Sequence, residues 1–289
     1  MKKRRVQQIA LSSVVHNFNR KPLAGFEGLR AEEIANLRSS YNYPPAKLVP
    51  FVGSARLNRV ILEHSGLKLM PCVPNSLIDW QKKKRNKSSL DLDRFHQQLL
   101  LSSNDKDLLQ GFWSVVFWGY FSGTDGIFRP GRAISRVKWL IDGKSVHTPQ
   151  HQPPTPNSIL INYLRDARCL ALEGRFGLAL EALMKIRFVG MSFGSKIVMF
   201  MHPERAAVYD QVIAGKILAD TSFDRMLVVD PSLTGHVTSK CAAYDAWCHY
   251  CDNKASSLNS SNSQWVDWTG IQHPWRAVDV ERAIFAAPG

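Results

Sequence analysis

Leu108 to Phe121, reading LLQGFWSVVFWGYF, is nearly continuous in apolar residues and limits the possible folds more than any other stretch of the chain. A membrane span needs about 18 to 20 such residues. At helical pitch this run covers only roughly two-thirds of a bilayer core. It is therefore read as a fully buried central helix in which Gly111 and Gly119 permit close approach of neighbours. Such a helix must be surrounded, and 289 residues with 45% hydrophobic content can bury one substantial core or two smaller ones.

Punctuation divides the rest. Residues 1–45 are basic and polar and read as an N-terminal arm, closed by the prolines of YNYPPAKLVP. Residues 46–150 read as an N-terminal helical lobe, with helical apolar spacing in NRVILEHSG (58–66) and DLDRFHQQLLL (91–101). HTPQHQPPTPNS (147–158) carries four prolines and marks a linker. Residues 151–289 form the second lobe, which opens with helical patterns at 158–174 and 176–186. Strand alternation is hard to find and no internal repeat is evident. The expected fold class is all-α with a minor sheet or none, in two helical lobes.

Lysines and arginines number 37 against 24 acidic residues, a formal charge of +13, which suits a polyanionic partner or a solvated basic surface. The densest run is Lys82, Lys83, Lys84 and Arg85 in QKKKRNKSS, either a solvated loop or a phosphate grip. Five cysteines are an odd number without a ladder of spacings, and MKKRRVQQIALSSVV lacks the long apolar core of a signal peptide. A reducing cytoplasm is the expected compartment.

The segments VGMSFGSK (189–196) and HPERAAVYDQV (202–212) carry the chemistry. Helix 176–186 ends before Phe188, Gly190 and Gly194 bracket a short hairpin, and Gly194, Ser195 and Lys196 open an apolar helix. Glycines let backbone turn with positive φ and approach a phosphate closely, and the amides that start a helix point at that phosphate with the dipole behind them. Gly190, Ser192, Gly194 and Ser195 are therefore the candidate phosphate contacts. Asp210 also stands where an N-cap of the following QVIAGKIL helix would stand, a role compatible with a catalytic one.

This order of helix, glycine hairpin and helix resembles the helix-hairpin-helix superfamily of DNA glycosylases. In its lysine-bearing branch the catalytic lysine stands two residues after the second hairpin glycine, as Lys196 does after Gly194, and an aspartate follows the second helix, as Asp210 does. Three residues separate the glycines here where the family usually has one, and the interval from lysine to aspartate is shorter. WRAVDVERAIF (275–285) is similar to a bacterial family with the 8-oxoguanine glycosylase fold, some members of which are associated with defence against phages carrying modified bases, and the resemblance implies that role for this chain. The resemblance implies a monomeric enzyme without a cofactor or a membrane association. It would flip a modified or damaged base from double-stranded DNA and cut its N-glycosidic bond, with Lys196 as amine nucleophile and Asp210 as carboxylate, and possess AP-lyase activity if bifunctional. Three alternatives stand beside it: repair of oxidised guanine, a monofunctional enzyme in which Asp210 activates water, and a non-catalytic DNA-binding protein.

For the base pocket, Phe112, Trp113 and Trp118 are the first candidates, and Trp265, Trp268 and Trp275 could also line a cleft. Cys241, Cys248 and Cys251 match the first three positions of the iron-sulfur ligand spacing in endonuclease III-like glycosylases, but the fourth position is Ser257. Positions 241, 244, 247, 248 and 251 share one helix face, so they read as a buried stripe and no metal is assigned.

Overall fold

The computed structural model describes residues 25–288 other than 42, 44, 53–60, 75–87, 89, 123–126 and 145–151. Ten α-helices lie among them: α1 (Ala31–Ser40), α2 (Asp91–Leu101), α3 (Asp105–Phe121), α4 (Pro130–Asp142), α5 (Asn157–Leu172), α6 (Phe176–Met184), α7 (Met191–Met201), α8 (Gln211–Ala219), α9 (Val237–Ser260) and α10 (Ala277–Ala286). β1 (Lys47–Pro50), β2 (Leu62–His64) and β3 (Leu67–Cys72) form an antiparallel sheet in the order β1-β3-β2, and β4 (Trp265–Val266) pairs with β5 (Gln272–His273). The chain is mainly helical with minor sheets, as expected. No helix among the described residues is long and apolar enough to cross a membrane.

The apolar run becomes α3. Asn104 caps it by accepting a hydrogen bond from the Lys106 amide at 2.8 Å, and Asp105 and Asp107 favour its first turn. Every residue from Leu108 to Trp118 is buried, because α2, α4, α5, α7 and β1 all pack against the helix. Both glycines act as anticipated. A Cβ on Gly111 would lie 2.9 Å from Leu99, and one on Gly119 would lie 2.7 Å from the Phe193 ring.

The second enclosed helix is α7, buried throughout Gly194 to Met201 and stopped at His202 before Pro203. Contact between α3 and α7 joins the two halves of the chain, and one continuous apolar core runs from Phe26 to Ile284. Of the linker, residues 145–151 lie outside the described set; beyond them Gln152 pairs with Lys144 by two backbone hydrogen bonds and α5 begins after Pro156.

Two local readings change. Residues 62–64, expected within a helix, form β2, because Ser65 (φ 51°) and Gly66 (φ 73°) make the two-residue positive-φ turn that returns the chain as β3. Of the expected arm, residues 1–24 lie outside the described set, whereas residues 31–40 form α1 and pack on α10 and β4. Charge holds α1 there. Arg38, 1% exposed, donates to Asp279 at 2.8 Å and lies 3.7 Å over the Trp265 ring. Arg276 bridges Asp279 and Asp93, and Arg282 grips both oxygens of Asp93 at 2.7 and 2.8 Å. This network ties α1, α2 and α10 together.

Candidate active site

The hairpin between α6 and α7 is built one turn earlier than the glycine spacing suggested. Its positive φ (67°) belongs to Phe188, Gly190 is an extended N-cap, and α7 starts at Met191, whose side chain is fully buried. Gly190 is exposed with nothing near its missing Cβ, and no side chain caps the helix. The Phe193 amide returns to the Gly190 carbonyl at 3.1 Å, and the Met191 and Ser192 amides have no acceptor among the described residues. Gly194 instead lies inside α7, where a Cβ would come within 2.5 Å of Leu180 on α6. Its small size permits the two helices to pack. Ser195 is likewise buried. Of the four expected phosphate contacts, Gly190 and Ser192 therefore sit at the open end, while Gly194 and Ser195 face inward. Lys82 to Arg85 lie outside the described residues.

Lys196, in the second turn of α7, donates to Asp210 Oδ2 at 2.8 Å, with a longer contact to the Ser192 carbonyl at 3.4 Å. The other Asp210 oxygen accepts from the amides of Val212 at 3.1 Å and Ile213 at 3.3 Å, so the residue caps α8 and holds the lysine together. Neighbouring residues set this distance. Ser195 Oγ accepts from the Tyr209 amide at 3.0 Å, which locks together the positions immediately before Lys196 and Asp210. Tyr244 donates to the Ala207 carbonyl at 3.1 Å and Trp247 to that of Val208 at 2.9 Å. The expected stripe on α9 is thus buried, and it also supports the segment that delivers Asp210. On the other side, Gly119 leaves room for the Lys196 stem, whose Cδ would be 3.3 Å from an added Cβ.

The pair is enclosed but not sealed, with side-chain exposures of 11% for Lys196 and 19% for Asp210. Burial alone would raise the Asp210 pKa, but the charge and hydrogen bond of Lys196 together with the two capping amides hold it below its ordinary value. Glu281 of α10 is coupled electrostatically to the same pair and was not anticipated. It is 3% exposed, and burial pushes its pKa up to about 8, with Arg282 opposing and Asp210 reinforcing the rise. An amine beside a carboxylate in a partly dry site can attack an electrophilic carbon while the carboxylate stabilises positive charge.

The expected base-pocket aromatics are elsewhere. Phe112 and Trp113 are at most 1% exposed, and Trp118 packs edge-on against Tyr43 and Phe200. They point inward because α3 is surrounded. Trp265 and Trp275 are also buried. The half-exposed rings near Lys196 are Tyr120 and Phe193, which stack on each other, with Trp139 and Phe188 nearby. Helix periodicity carried a signal for Phe193, since it stands one turn before Lys196 on the same face.

Burial pushes the Cys241 thiol up to about 11 and Cys248 to about 12, which suits packed thiols. Among the described residues, no group of three or more His, Cys, Asp or Glu is placed to hold a metal ion. Comparison with protein-family models, curated proteins and solved structures returns no match for this chain.

Proposed function

We propose that this chain is a DNA glycosylase that excises a modified or damaged base, with Lys196 as nucleophile and Asp210 as the electrostatic partner. The observation that carries the reading is the 2.8 Å contact between Lys196 Nζ and Asp210 Oδ2, one turn from the open amide end of a helix that follows a hairpin. The amides around Gly190 and Ser192 suit a DNA phosphate, and the net charge of +13 suits the polyanion as a whole. The target nucleotide leaves the stack at a cost of a few kcal/mol.

Breaking the N-glycosidic bond builds positive charge on the sugar, which the Asp210 carboxylate stabilises. Lysine attacks as a neutral amine, so its proton must first leave; Asp210 stays ionised, and the proton passes, directly or through solvent, to the departing base. The new bond joins Nζ to the anomeric carbon, and the base departs with the electron pair of the broken bond and takes up a proton. Ring opening then gives a Schiff base, from which β-elimination nicks the strand.

Borohydride trapping against a panel of duplexes tests this reading, with oxidised guanine, uracil and phage DNA containing modified cytosines as substrates. A covalent adduct formed with one of them is the expected result. Base release without an adduct would assign the attack to water activated by Asp210. Absence of release from every duplex would leave a DNA-binding protein without this chemistry.

A further inference from the structure

Phe193 stacks on Tyr120 with ring centres 4.1 Å apart and planes 19° from parallel. These rings wall a cleft of about 170 Å³ between α3, α4 and the hairpin, completed by Trp139, Phe188, Arg136 and Lys144. The Arg136 guanidinium lies 3.8 Å from the Trp139 ring centre and 5.0 Å from that of Tyr120, and Lys144 lies 4.8 Å from Trp139. Arg132 adds a further cation 5.4 Å from Tyr120. Among the described residues, no aspartate or glutamate lines the cleft and none of these three cations has an ion-pair partner.

Like charges gathered without counter-charge repel one another, and half-exposed rings leave apolar area in water. A ligand that is both anionic and planar relieves both. Phe188 points the same way. It is the hairpin residue held at φ 67°, a strained conformation for a non-glycine residue, and its ring lines the cleft. Aromatic faces interleaved with cations are how proteins hold bases and phosphates of unpaired strands.

We propose that this cleft binds one unpaired nucleotide of a DNA strand, its base against the aromatic rings and its phosphate on Arg136 and Lys144. That the strand is DNA rests on the glycosylase reading; the cleft itself does not include Lys196. Because Phe193 lines the cleft with its ring centre 5.6 Å from Lys196 Nζ, an unpaired nucleotide held here lies beside the reacting amine.

Fluorescence anisotropy of the full chain carrying Lys196→Gln reads this without base release, so it stands apart from the trapping result. A labelled duplex with one bulged nucleotide should bind about tenfold more tightly than the same duplex fully paired. Trp139→Ala and, separately, Arg136→Gln should each abolish that preference while leaving the affinity for paired duplex within about threefold. Arg136 is partly exposed on α4, so its variant keeps the test open if Trp139→Ala fails to fold. Equal binding of bulged and paired duplexes, or a preference that survives in a folded variant, would overturn the proposal.

Discussion

Asp93 and Asp279 are buried in the same fold as Asp210, yet their partners differ. Arg276 and Arg282 occupy both oxygens of Asp93, while Arg38 and Arg276 occupy those of Asp279. Burial would raise the Asp279 pKa, but Arg276 and Arg38 bring it down to about 2. Asp210 has one lysine and two backbone amides, retains some exposure, and shares its neighbourhood with Glu281, another buried carboxyl. The first cluster joins three helices through guanidinium–carboxylate contacts, with Arg38 Nη2 left without a hydrogen-bond partner among the described residues. The second leaves an amine and two carboxyls with capacity to exchange protons or meet a ligand. Burial alone does not distinguish the two clusters; the kind of partner each carboxylate holds does.

The largest expected effect is on chemistry. Lys196→Gln should abolish Schiff-base trapping while the chain still unfolds cooperatively, because glutamine retains part of the stem that fills the space beside Gly119. Trapping that persists in this variant would move the nucleophile elsewhere.

Asp93→Ala should act in the opposite sense, leaving Arg276 and Arg282 buried without their shared carboxylate. A loss of about 3–5 kcal/mol in denaturant unfolding is expected. Tolerance within about 1 kcal/mol would end the distinction drawn between the two clusters.

Asp210→Asn should slow base release by about 10² to 10³ with little loss of DNA affinity, since the missing charge matters in the transition state. Asparagine keeps an oxygen for the α8 cap but loses the ion pair with Lys196, so the variant should still unfold cooperatively, at a lower temperature than wild type. Asp210→Ala removes that cap as well, for a further cost of roughly 0.5–2 kcal/mol. Equal stability of the Asn and Ala variants would show that the cap contributes nothing.

Glu281 predicts a pH-dependent effect of definite sign. Its folded pKa of about 8 exceeds the ordinary 4.5, so between those values the folded chain holds the extra proton. Its contribution to stability therefore falls as pH rises through that window, by at most about 1.4 kcal/mol per unit, and is flat above it. Glu281→Gln should remove this slope and melt at a higher temperature than wild type at pH 9. The depressed Asp279 and Asp210 act oppositely, contributing stability that is lost as pH falls through the acid range. Parallel melting profiles of variant and wild type from pH 5 to 9 would sink the assignment.

What the amino-acid sequence determined by itself was local. The apolar run of α3, the periodicity of α5 and α6, the Asp210 cap and the single face of α9 all depend on residues within a few positions of one another, and short-range sterics and hydrogen bonding suffice to read them. The Ser65–Gly66 turn was equally local and was missed because β2 has only 3 residues and Met70 and Pro71 break the alternation of β3. Tertiary structure decided the rest. Gly194 was expected to open α7 but lies inside it, where Leu180 fills the space its side chain would occupy. Phe112, Trp113 and Phe193 are alike in composition, and only the elements around α3 turned two of them inward and left the third beside the lysine. Arg38 lies in a polar segment with no apolar pattern, and its partner Asp279 is 241 residues away. Lys196 and Asp210 were visible as a pair in order, but their 2.8 Å separation depends on Ser195 gripping Tyr209, a long-range hydrogen bond that no local pattern encodes.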